Sequence, residues 1–150
     1  MRKNLHNRTD LSEILIRIEY LSINSQHLWG TMDVAQMLSH LNTFLETSLD
    51  INHPRRLFLG RLIGPLFKKR YTSTKEFSIN RRTHKNYIVT EFRNFEQEKS
   101  KAITLLNEFC GGGTVKCTTK PHSFFGYLTP EEWAIVQWKH FDHHLRQFGV

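Results

Sequence analysis

The run Thr129-Pro130-Glu131-Glu132-Trp133-Ala134-Ile135-Val136-Gln137-Trp138-Lys139-His140-Phe141-Asp142-His143-His144-Leu145-Arg146-Gln147-Phe148-Gly149 carries one helix and the signals for both of its ends. Thr129 is a capping residue, Pro130 is tolerated at the first helical position, and Glu132 completes a capping box. Gly149 supplies the stop. Trp133, Gln137, His140, His144 and Phe148 recur along one side, beside an apolar edge of Phe141 and Leu145. The spacing predicts a helix from Thr129 to about Phe148.

Three further periodic segments lie upstream. Thr9 or Asp10 caps a helix reaching about Ser22, with Leu11, Ile14, Leu15, Ile18 and Leu21 at helical spacing. Asp33 caps a second, running to about Leu49 with Val34, Met37, Leu38, Leu41, Phe44 and Leu45 on its inward stripe. A third fits Val89 to Phe109 and is stopped by Gly111. Between the second and third, Leu57 to Phe67 reads as a short helix interrupted by Gly60, Gly64 and Pro65, and the rest of 53–85 has no period. Tyr87-Ile88-Val89 is the only β-like run, and it is too short to matter. The expectation is an all-α protein, a single domain over residues 1–150. Its architecture would be an antiparallel four-helix bundle with an irregular basic excursion between helices 2 and 3.

Composition narrows the function classes. The net charge of +7 comes from 21 Lys and Arg against 14 Asp and Glu. It is concentrated between His53 and Lys85, where Arg55, Arg56, Arg61, Lys68, Lys69, Arg70, Lys75, Arg81, Arg82 and Lys85 face one acid, Glu76. Such a patch suits nucleic acid, anionic small molecules or plain solvation. No nucleic-acid motif accompanies it, so nucleic acid is the weakest of these readings. No apolar run approaches the ~18 residues of a membrane span, and no apolar stretch follows the basic N-terminus as in a secretion signal. A cytoplasmic protein without a membrane partner is therefore expected. Cys110 and Cys117 flank Gly111-Gly112-Gly113 without a second pair, which argues against a disulfide framework or a Cys-rich zinc site.

The histidines are the chemically informative residues. His140 and His144 stand four apart, one above the other on a helix face. A pair of this kind is more often two surface histidines than a metal site. The core-facing side shifts that balance, because buried imidazoles need partners. His40 lies at the margin of the inward stripe of helix 2, about 40° from Phe44. If the two helices pack together, three imidazoles converge and leave a coordination position open, as in a catalytic metal site. Gln36 and Gln137, one turn before His40 and His140, are candidates to orient them or are plain helix residues. His143 is rotated about 100° from His144 and should point elsewhere. His122 is read as a loop anchor, and His6, His27, His53 and His84 as surface or loop residues.

The segments Trp29-Gly30-Thr31-Met32, Gln36-Met37-Leu38-Ser39-His40-Leu41, Phe125 to Trp133 and His140 to Gly149 together resemble a group of small proteins in the DinB/YfiT-like superfamily. The resemblance implies a four-helix bundle with a divalent metal held by one histidine of the second helix and two of the last. In this sequence these are His40, His140 and His144. Relatives of this kind more often carry Pro after the loop histidine, where this chain has Ser123. The superfamily includes transferases and isomerases that use low-molecular-weight thiols, and its members are often homodimers. The resulting expectation is a metal-dependent thiol transferase or hydrolase. Zinc is the first ion to consider, with nickel and iron as the others that imidazole suits. The basic segment would hold the anionic groups of a thiol or another small molecule. The competing expectation is a non-catalytic metal-binding or structural bundle.

Overall fold

The structure, a computed structural model, describes residues 2–79 and 84–150. Among them are five α-helices and no strand: α1 Arg8–Glu19, α2 Val34–Ser48, α3 Phe58–Tyr71, α4 Phe95–Gly112 and α5 Pro130–Gln147. A single turn of 3-10 helix spans Lys85–Tyr87. No helix among the described residues is long and apolar enough to cross a membrane.

The ends of α2 and α5 follow their capping chemistry. Asp33 accepts the Gln36 amide while the Gln36 side chain accepts from the Asp33 backbone, and Thr129 and Glu132 do the same at α5. Asn7, two or three residues earlier than expected, caps α1 by accepting from Thr9 and Asp10. α4 begins at Phe95, where Asn94 accepts the Gln97 amide, so Val89 to Asn94 is not helical as the periodicity suggested.

α2 packs on α4 and α5, and α1 packs on the same two helices. Their facing stripes form one core, with Ile14 and Ile18 of α1, Leu38, Leu41 and Leu45 of α2, Leu106 and Phe109 of α4, and Trp133, Phe141 and Leu145 of α5 almost wholly buried. Each such side chain contributes about 1.5–3 kcal/mol through its removal from water. Arg17 joins α1 to α5 through Asp142 at 2.8 Å and through the carbonyls of Asp142 and Val150.

The excursion between α2 and α4 is more regular than expected, because it contains the whole of α3. Gly60 and Gly64 are one turn apart on the buried face of α3, and Cβ atoms there would overlap the Phe124 backbone. These glycines permit a close approach between a helix and a loop; they do not interrupt the helix. Tyr71 stacks on Phe125 with ring centroids 3.9 Å apart. The buried Lys139 Nζ donates to the Tyr71 and Ser73 carbonyls at 2.8 and 2.7 Å, a cation placed where the helix C-terminus favours one. Arg81 and Arg82, counted in the basic segment, lie outside the described residues.

Candidate metal centre

The packing of α2 against α5 brings His40, His140 and His144 together. One ligand nitrogen from each lies within 4.8 Å of the others. All three ring-centroid separations are 4.8 Å, and the rings are inclined to one another by 72–76°. Each imidazole is thus steeply inclined to the other two, and the closest pair of nitrogens, His40 Nε2 and His140 Nε2, is 2.9 Å apart. His40 and His144 are buried, and His140 is partly so.

Two of the rings are held from behind. His40 Nδ1 is 2.7 Å from the Tyr87 carbonyl oxygen, and His144 Nδ1 is 2.7 Å from Gln147 Oε1. A carbonyl oxygen only accepts, so each Nδ1 carries the proton and each Nε2 presents a lone pair. Gln147 is itself held, since its Nε2 donates to the Trp29 carbonyl at 2.6 Å. Gly30 follows that carbonyl with φ +86, and a Cβ there would collide with the Gln147 amide. This is the arrangement by which outer groups fix the tautomer and direction of a ligand imidazole.

Electrostatics favour the ligand form. Burial lowers the His144 pKa to about 3, with His40 and His143 adding to the effect against the Gln147 hydrogen bond. Burial also lowers that of His40. Both rings are thus neutral near neutral pH, as a metal ligand must be. Tetrahedral coordination with Zn–N distances of about 2.0–2.1 Å requires nitrogens ~3.3 Å apart. His40 Nε2 and His140 Nε2 are 2.9 Å apart, a few tenths of an ångström inside that spacing. The set as a whole spans no more than 4.8 Å, so the three imidazoles lie close enough together to hold a metal ion.

The cluster borders a cavity of about 750 Å³. Its wall combines apolar side chains, Trp29, Phe44, Phe77 and Phe125 prominent among them, with six histidines and several hydroxyl groups, and among the described residues no Lys, Arg, Asp or Glu lines it. None of the described bases of the 53–85 segment therefore reaches the cavity wall.

Several sequence readings change here. His143 does not point away; it is buried and lines the cavity between Trp29 and Phe77, because the segment after α3 covers that side of α5. His84 also lines the cavity and accepts the Asn86 amide, and His6 stacks on Phe109 at 4.9 Å. Gln36 is occupied in the α2 cap and with the Glu91 carbonyl, and Gln137 ties α5 to the Phe44 carbonyl and Ser48. The orienting groups are instead Gln147 and the Tyr87 carbonyl. Gln147 follows His144 by three residues, a spacing that could have marked it. Nothing local could have marked a backbone carbonyl from another segment. His122 anchors its loop as expected, its Nδ1 accepting from the Phe124 and Phe125 amides at 3.0 and 3.2 Å.

Fold and site thus define an all-helical protein with a three-histidine cluster close enough to hold a metal ion. Residues 1–149 match the family described as protein of unknown function (DUF1569), and the chain belongs to that family. Comparisons with curated proteins and with solved structures gave no match.

Proposed function

We propose that His40, His140 and His144 bind a divalent cation, zinc before nickel or iron, and that the protein is a metal-dependent transferase or hydrolase. The observation that carries this is the convergence of three ligand nitrogens within 4.8 Å, two of them directed inward by hydrogen bonds behind the ring. We read α1, α2, α4 and α5 as a four-helix bundle of the DinB/YfiT-like kind. The support is the packing of α1 and α2 each on both α4 and α5.

A cation in this position would supply the Lewis acidity that makes a water or a thiol nucleophilic near neutral pH. The protein's own residues set the rest. Three imidazoles leave a coordination position open to the cavity. Phe44, Phe77 and Phe125 exclude bulk water and accept an apolar, uncharged electrophile, since no fixed charge of the described wall would pair with an ionic one. A low-molecular-weight thiol would enter sulfur first and keep its charged groups at the mouth.

The test is metal analysis of the purified protein and of His40→Ala and His144→Ala. A stoichiometric ion in the wild type and its loss from both variants is expected; equal content in all three ends the proposal. A second reading is favoured by the 2.9 Å contact between His40 and His140: a non-catalytic site whose histidines satisfy one another. As a structural site it predicts no bound ion, and as a non-catalytic metal site it predicts a metal-loaded protein that turns over no pairing of a thiol with an apolar electrophile.

A further inference from the structure

α3 stands on the molecule by a narrow strip. Gly60, Gly64 and Tyr71 are its buried residues. On the opposite side, roughly 170° around the helix at 100° per residue, Phe58, Leu59, Leu62 and Leu66 are 57–78% exposed. This is a contiguous apolar face on a helix that already has its contact with the protein. Helices normally turn such a face inward.

The charges carried by this stretch of chain are all of one sign. From residue 51 to 75 the chain has no acid, while Arg55, Arg56, Arg61, Lys68, Lys69, Arg70 and Lys75 are basic. Around the helix, Arg61 and Lys68 flank the apolar face on one side and Arg70 on the other, with Lys69 at its C-terminal end. Lys68 pairs with Glu132 at 2.8 Å. Among the described residues no ion pair engages Arg61, Lys69 or Arg70, all of which are exposed.

We propose that α3 is an interfacial helix that seats the protein on an anionic lipid surface, with Phe58, Leu59, Leu62 and Leu66 entering the headgroup–acyl boundary and Arg61, Lys69 and Arg70 meeting lipid phosphates. An apolar stripe between basic flanks is the pattern that binds the plane of such a surface. A second copy of the chain fits less well: a two-fold contact through this face would press the unpaired cations of both copies together. No helix among the described residues is long and apolar enough to cross a membrane; the contact proposed is peripheral. Leu57 and Tyr71, at the two ends of α3, line the cavity from the buried side of the helix, so α3 would stand between the docked surface and the cavity. The proposal stands apart from the metal reading and does not depend on it.

The test is co-sedimentation of the full chain with vesicles of phosphatidylcholine mixed with phosphatidylglycerol, against vesicles of phosphatidylcholine alone. Wild type should bind the anionic vesicles and be released by salt. Leu62→Asn with Leu66→Asn should lower the partition coefficient on the order of 30-fold or more. Lys69→Glu with Arg70→Glu should lower it at least about tenfold. These positions are exposed, so circular dichroism should be unchanged. Phe58→Trp should show a blue-shifted emission only with anionic vesicles. No binding by wild type, equal binding by the variants, or an unmoved emission overturns the proposal. So does a wild-type dimer that the leucine substitutions dissociate without any vesicle binding, which would assign the face to a second copy.

Discussion

His144 shows how a side chain acquires a role from its surroundings. Four residues separate it from His140, a spacing legible in the chain, but its direction comes from Gln147, and Gln147 takes its own from the Trp29 carbonyl. Gln147→Leu keeps the volume and removes the acceptor behind the ring. We expect metal affinity about 10–100-fold weaker, measured by competition with a chelating dye, with the helical signal retained. An unchanged affinity would show that His144 needs no support. His40 depends on a carbonyl that no side-chain substitution deletes. Its presence near the site was readable because it sits at the edge of a helical stripe. The depth of its burial was not, since that depends on which segment covers it.

At the scale of elements, α2 and α5 were readable because their ends are encoded locally, by capping boxes at Asp33 and Thr129. Thr129→Ala should cost about 1 kcal/mol in urea denaturation through the lost cap. α4 began later than its periodicity suggested, because Phe92 shares the apolar spacing and yet is exposed. Asn94, three residues before Gln97, was the better signal. The short helix expected over Leu57 to Phe67 forms as α3, but its glycines do not interrupt it. Glycine weakens a helix interior in isolation, but Gly60 and Gly64 are where the Phe124 backbone approaches. Gly64→Ala reverses the usual preference: on an open helix it would add up to about 1 kcal/mol of stability. Here the clash should lower stability by about 1–3 kcal/mol, read as a lower urea midpoint. A neutral or stabilising result would dissolve the contact between α3 and the 122–126 loop.

For the molecule as a whole, burial has a titratable consequence at alkaline pH. The Cys117 thiol is pushed up from 9.0 to about 11 and the Tyr87 hydroxyl from 10.0 to about 12, each chiefly by burial. Between pH 9 and 12 the folded chain retains protons that the unfolded chain gives up, so stability falls as pH rises through that window. These groups contribute no such dependence below about pH 9. The urea midpoint should decline steadily above pH 9, and less steeply in Cys117→Ala; a flat wild-type profile would contradict the burial of both groups. What the amino-acid order determined by itself was the helical class, the ends of α2 and α5 and the three candidate histidines, because capping and helical period are properties of a few neighbouring residues. Tertiary structure alone decided that those histidines meet, that His143 and His84 join the cavity wall, that the wall carries no fixed charge among the described residues, and that α3 turns its apolar face outward. Each of these depends on contacts between segments far apart in the chain, and local spacing holds no record of which surfaces will be brought together.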